Sequence, residues 1–119
     1  MLSGTRVLLV EDEAIIALDL ADTFASAGAD VLGPAASVRE ALRLLDGATV
    51  DTALLDFNVA DGEVTPVLDL LVARGVPVVI YTGRGLPEAL CARHPNLSVL
   101  RKPLSTARIV EELARVTHA

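Results

Sequence analysis

The apolar positions of this chain fall into two alternating kinds of segment. Short continuous runs, such as VLLV at 7–10 and VPVVIYT at 76–82, have the length and β-branched content of strands buried on both faces. Between them lie longer segments whose apolar residues recur at helical spacing. Arg6 to Val10 reads as the first strand, and EDEAIIALDLADTFASAG follows as a helix. In that helix Ile15, Leu18 and Ala25 share a phase, with Ile16, Leu20 and Phe24 beside them. Asp12 suits its N-cap and Gly28 its C′ end. DVLGP predicts a second strand, stopped at Gly33-Pro34. Ser37 and Glu40 make a capping box ahead of VREALRLLDG. VDTALLDF predicts a third strand, NVADG a turn, and EVTPVLDLLVARG a helix with Pro66 near its start. VPVVIYTG is a fourth strand, LPEALCARH a short, poor helix and NLSVL a fifth strand. STARIVEELARV is a last amphipathic helix capped by Ser105.

Strands alternating with helices predict an α/β fold, a doubly wound parallel sheet with helices on both faces. The expected strand order is 2-1-3-4-5. Function in such a sheet lies beyond the carboxyl ends of the strands, at the switch point between the first and third.

Composition narrows the classes. The 119 residues are the size of one domain, and a hydrophobic fraction of 52% supplies a core. A net charge of −6 argues against nucleic-acid binding through a basic patch. No apolar run approaches the ~20 residues of a membrane span, and no leader pattern opens the chain. Cys91 is the single cysteine, so no internal disulfide forms and a reducing, cytoplasmic setting is expected.

Five polar residues then stand out by position. Glu11 and Asp12 end the first strand, Asp56 the third and Thr82 the fourth, and Lys102 follows the fifth. Core packing asks for none of them. Three carboxylates against one ammonium leave two negative charges, which one divalent cation neutralises. Oxygen ligands of this sort suit Mg²⁺. Glu13 is expected to be a solvated first-turn acid, Cys91 a buried or half-buried small hydrophobe, and His94 and His118 incidental exposed histidines. Arg101 is expected to be a surface charge, and the polar face of the last helix, Arg108, Glu111, Glu112 and Arg115, to stay wet.

The segments VLLVEDE, ALLDFN, VIYTG and RKPL resemble the receiver domain of two-component response regulators, over the whole chain. The resemblance implies a flavodoxin-like (βα)5 fold and a single receiver domain over residues 1–119, a phosphoacceptor rather than an enzyme. It implies that Asp56 takes a phosphoryl group from a phosphohistidine on a sensor histidine kinase or histidine phosphotransfer protein. Asp12, Asp56 and the backbone carbonyl of Asn58 would ligate Mg²⁺, with Glu11 acting mainly through water. Thr82 and Lys102 would bind phosphoryl oxygens, and the Lys102-Pro103 bond is typically cis. An ordinary carboxylate is ionised at neutral pH, so such a nucleophile needs no general base.

The chain also departs from the family. VADGE replaces the longer MPxMDG, with Ala60 at the usual proline, and Val99 stands where a Tyr or Phe is usual. PVVIYTGRG partly matches an atypical single-domain subgroup with a Phe-Ala-Thr-Gly-aromatic motif, Ile80-Tyr81 replacing Phe-Ala and Arg84 the aromatic. Without an aromatic at 99, switching is expected in Gly83–His94, and Arg84 is expected to reach the phosphoryl group. The leading expectation is a stand-alone receiver that signals by protein contact, with no DNA-binding output and no membrane insertion. The alternatives are a receiver excised from a larger regulator or hybrid kinase, and a pseudo-receiver that only docks. A small aspartyl phosphatase is disfavoured: those enzymes place DxD after the first strand and need a cap. The downstream partner and oligomeric state stay open.

Overall fold

The structure, a computed structural model, describes residues 1–118. Twelve elements follow one another: β1 (Arg6–Val10), α1 (Ala14–Ser26), β2 (Asp30–Ala35), α2 (Val38–Leu45), β3 (Thr52–Leu55), β4 (Asn58–Val59), β5 (Gly62–Glu63), α3 (Thr65–Ala73), β6 (Val78–Thr82), α4 (Glu88–Arg93), β7 (Ser98–Arg101) and α5 (Thr106–Thr117). The main sheet is parallel and runs β2-β1-β3-β6-β7. Counting only its five strands, this is the expected 2-1-3-4-5, a flavodoxin-like fold.

Side chains of a strand alternate between faces, so each apolar run feeds two cores. Leu8, Val10, Ala53, Leu55 and Ile80 pack with Ala41 and Leu45 of α2, Val67, Leu68 and Leu71 of α3, and Leu90 of α4. Val7, Leu9, Leu54, Val79 and Tyr81 pack on the opposite face with Leu20 and Phe24 of α1 and Ile109, Val110 and Leu113 of α5. Burial of this kind is worth about 1.5–3 kcal/mol per large aliphatic side chain.

Several details differ from the sequence expectation. β2 is not stopped at Gly33-Pro34 but runs through it to Ala35. Its register slips against β1, where Leu8 faces Leu32 but Val10 faces Ala35. An edge strand tolerates a proline and a bulge. Gly33, at φ +108, is needed there, because a Cβ would lie 2.6 Å from the Leu9 carbonyl oxygen. Helix α1 is entered at Glu13, not Asp12, and without a side-chain cap. Its buried residues are Ala17, Leu20 and Phe24, while Ile15 is 85% and Leu18 62% exposed. The helix is apolar almost all round, so periodicity alone does not choose the face. NVADG is more than a turn, being part of a small antiparallel hairpin, β4–β5.

That hairpin is tied to α2. Asp61 accepts hydrogen bonds from the Val38 and Arg39 amides, at 2.7 and 3.1 Å. The Ser37 hydroxyl accepts from the Glu40 amide, as its capping role predicts, and the Glu40 carboxylate accepts from the Ala36 amide. The Ala41 amide makes the first bond to the Ser37 carbonyl, so every N–H of the first turn is satisfied. The bonds from the Val38 amide, and then from the Arg39 amide, hold the Asp61 carboxyl below its usual range.

Candidate functional site

The polar residues at the strand ends are fixed by continuation of the sheet's backbone bonding. The Glu11 amide donates to Ala35, that of Asp56 to Val10, and that of Lys102 to Thr82, at 2.9, 2.9 and 2.8 Å. These anchors deliver four chain segments to one edge of the sheet. There they frame an open cleft of about 550 Å³, lined by Asp12, Glu13, Asp56, Asn58, Thr82, Gly83, Arg84 and Lys102.

Lys102 is the hub of the cleft. Its Nζ lies 3.1 and 3.3 Å from the two carboxylate oxygens of Glu11, and 3.3 Å from Asp56 Oδ2. It also reaches Glu13 Oε1 at 3.3 Å. Glu13 is exposed, as expected of it, but it is a partner of the lysine and not simply a solvated acid. Glu11 and Asp56 are buried and Asp12 is exposed. Burial, and then the charge of Asp56, push the Glu11 carboxyl up to about 7, although Lys102 pulls the other way. Burial draws the Lys102 ammonium down, but the hydrogen bond and charge of Glu11 and the charge of Asp56 win and raise it to about 12. Thr82 is 2% exposed, and its hydroxyl accepts the Arg84 amide at 3.2 Å. One lone pair is thereby occupied, and the hydroxyl hydrogen remains available to the cleft.

Carboxylate oxygens of Glu11, Asp12 and Asp56 lie within 4.8 Å of one another. An all-oxygen donor set of this kind suits a hard divalent cation. Burial is the larger cause of the raised Glu11 carboxyl; the charge of Asp56, the second, is a repulsion such an ion would relieve. Asn58 lines the cleft two residues past Asp56. All six residues singled out from the sequence therefore gather at one edge: Glu11, Asp12, Asp56, Asn58, Thr82 and Lys102. A carboxylate beside an ammonium, a hydroxyl hydrogen facing the cleft and an oxygen cluster suited to a cation together suit an anionic electrophile.

Sequence reasoning missed Tyr81, which reads only as part of a buried strand. Its ring centroid is 5.4 Å from Lys102 Nζ, within cation–π range. The Lys102-Pro103 peptide bond is cis, and so is Gly33-Pro34. Arg84 and Arg101 are exposed, and Arg84 is on the rim of the cleft. Cys91 is exposed, not buried, because α4 turns Leu90 to the core instead. His94 is not an incidental surface residue: its side chain is 15% exposed and 3.3 Å from Asp69. His118 is exposed. Glu112 is not wet but 6% exposed, bonded to Ser98 and Arg115.

No family model matches the chain. It is 33% identical over 111 residues to the phyllosphere-induced regulator PhyR of Methylorubrum extorquens, covering 89% of this chain and 41% of that protein. It spans about half the length of the curated relatives it matches. The solution structure of SdrG from Sphingomonas melonis Fr1 is 32% identical, covers 97% of each chain and superposes with a TM-score of 0.78. A response regulator receiver protein from Sinorhizobium medicae is 25% identical, covers 100% of this chain and 98% of its own, and has a TM-score of 0.85.

Proposed function

This chain is a receiver domain of the response-regulator family, and on that premise we propose that Asp56 accepts a phosphoryl group from the phosphohistidine of a sensor histidine kinase or histidine phosphotransfer protein. The observation that carries this reading is the position of Lys102 Nζ, 3.3 Å from Asp56 Oδ2 inside a cluster of carboxylates. An oxygen of Asp56 attacks phosphorus in line. The new phosphorus–oxygen bond forms as the phosphorus–nitrogen bond breaks, and the departing imidazole nitrogen keeps the electron pair and is protonated. Charge spreads over the phosphoryl oxygens in transit, so positioning and electrostatics dominate. Lys102 gives up part of its bonding to Glu11 and Glu13 to meet one of those oxygens. The Thr82 hydroxyl donates to another. Asp12, Asp56 and the Asn58 carbonyl would hold Mg²⁺, with Glu11 contributing through water. When bound, the ion supplies positive charge against the phosphoryl oxygens.

In this reading the domain assists its own phosphorylation and dephosphorylation and otherwise acts by contact with a downstream protein, in the cytoplasm. No helix among the described residues is long and apolar enough to cross a membrane. The match to SdrG along nearly all of that chain favours a stand-alone receiver over residues 1–119. The curated relatives, twice as long, favour a receiver within a larger regulator. The length of the gene separates the two.

Incubation with acetyl phosphate and Mg²⁺, followed by intact mass measurement, tests the proposal. One added phosphoryl is expected, and none after chelation of the metal or in Asp56→Asn. An unchanged mass for the native chain rejects phosphoacceptance and leaves a receiver fold that only docks.

A further inference from the structure

The segment from Lys102 to Ser105 joins the cleft to α5, and it hangs from two consecutive residues of β6. The Lys102 amide is bonded to the Thr82 carbonyl at 2.8 Å. Two residues on, the Leu104 amide donates to the Tyr81 hydroxyl at 3.0 Å, and that hydroxyl faces the Leu104 carbonyl at 3.4 Å. Ser105, next in the chain, is the N-cap of α5. The Tyr81 ring meanwhile flanks the Lys102 ammonium at 5.4 Å, while Glu11, Glu13 and Asp56 take its protons. Tyr81 is 5% exposed and its hydroxyl has no partners besides Leu104 among the described residues.

One buried side chain thus touches the ammonium through its face and the backbone of the following turn through its tip. Val99, at the position where an aromatic side chain is usual, is small and 38% exposed, so it offers no comparable link.

We propose that Tyr81 is a positioning residue of the phosphoryl-transfer site, steadying Lys102 with its ring and holding the turn before α5 with its hydroxyl, so that events at Asp56 are conveyed to that turn. The proposal rests on the phosphoacceptor reading of Asp56. The ammonium has three protons, and Glu11, Glu13 and Asp56 take them all. A phosphoryl group on Asp56 changes that partition and shifts the lysine against the ring. A shifted ring moves the hydroxyl, and among the described residues the Leu104 amide is bonded to nothing else.

The composition provides a direct readout. The chain has one tyrosine and no tryptophan, so its tyrosine emission reports on Tyr81 alone. Tyrosine emission is recorded before and after labelling with acetyl phosphate and Mg²⁺, alongside intact mass and the Leu104 amide resonance. The expected result is a change in emission and a shifted Leu104 amide that follow the added mass, neither of which occurs in Asp56→Asn. In Tyr81→Phe, which keeps the ring, the Leu104 shift is lost while the Thr82 amide still responds. Labelling there slows by about 3- to 10-fold, well short of the ~10²-fold typical of deleting a charge-stabilising donor outright. An unchanged emission on full labelling overturns the proposal, as does a Tyr81→Phe variant that labels at the native rate with the native Leu104 shift. Should that variant fail to fold, the native emission and Leu104 shift decide. Absence of any added mass overturns the phosphoacceptor reading, and this proposal with it.

Discussion

Glu112 is a charged residue withdrawn from water, and such a group persists only if its oxygens are paired. Ser98 of β7 donates to one oxygen, Arg115 holds both, and Arg108 is 3.7 Å away. The bond from Arg115, and then that from Ser98, bring the Glu112 carboxyl down to about 2. A carboxylate depressed in the folded state adds stability that is complete above its unfolded value and is lost as pH falls through the folded one. The window therefore runs from about 4.5 down to about 2. The whole shift corresponds to about 3 kcal/mol, but the side chains of Arg115 and Arg108 are 63% and 47% exposed, and solvent screening reduces it to roughly 1–2 kcal/mol. Glu112→Gln should lower the urea-derived stability by that amount at pH 7 and flatten its decline in acid. Equal acid sensitivity in both proteins would exclude Glu112 as the source. Nothing local in the sequence separates Glu112 from exposed Glu111, because the partner that draws it inward is fourteen residues upstream. The site residues at 11, 12, 56, 82 and 102 are legible for the opposite reason. Each sits at a strand end, so the sheet fixes its place whatever its side chain does. Tyr81 and Glu13 act through the reach of a side chain, which a linear pattern does not encode.

Among the elements, legibility follows how many neighbours must agree. β1, β3 and β6 are buried on both faces, and their apolar runs allow no other reading. The face of α1 is ambiguous because Ile15, Leu18, Leu20 and Phe24 are all apolar, and only packing against Val7 and Leu9 selects the last two. The course of β2 through Pro34 depends on its place at the edge. Helix α4 is the weakest element, six residues following a loop with Gly83, Gly85 and Pro87. A helix so short is unstable alone. Leu90 anchors it in the core, and Asp69 of α3 clasps its end, accepting from Arg93 and sitting 3.3 Å from His94. These bonds, the one to Arg93 foremost, hold the Asp69 carboxyl below its usual range. The expectation that Gly83–His94 reorders on phosphorylation requires that this clasp can open. Asp69→Ala should speed hydrogen exchange at the Cys91 and His94 amides by about 2- to 5-fold, the scale of exposed ion pairs, and leave β6 unaffected. Unaltered exchange would mean that Leu90 alone secures the helix.

At the scale of the whole molecule, the sheet's carboxyl edge collects most of the unusual surface. The acidic cleft opens there, and the exposed Ile15 and Leu18 follow within the first turns of α1, directly after Glu13 of the cleft wall. Small apolar contacts beside a charged centre are the arrangement expected where a partner must dock and then deliver a charged group: the apolar residues give affinity, and the charges give orientation. On the phosphoacceptor reading, a protein donor is expected to cover this patch, whereas acetyl phosphate needs only the cleft. The double substitution Ile15→Asp with Leu18→Asp should therefore slow transfer from a phosphorylated histidine-containing donor by about tenfold or more, the effect of losing one or two interface anchors. It should leave labelling by acetyl phosphate at its native rate, since neither side chain lines the cleft. Parallel loss with both donors would instead place the defect in the cleft or the fold. Equal rates from the protein donor would show that it approaches Asp56 over a different face, with the short turn before α5 and the exposed Leu104 as the next surface to alter.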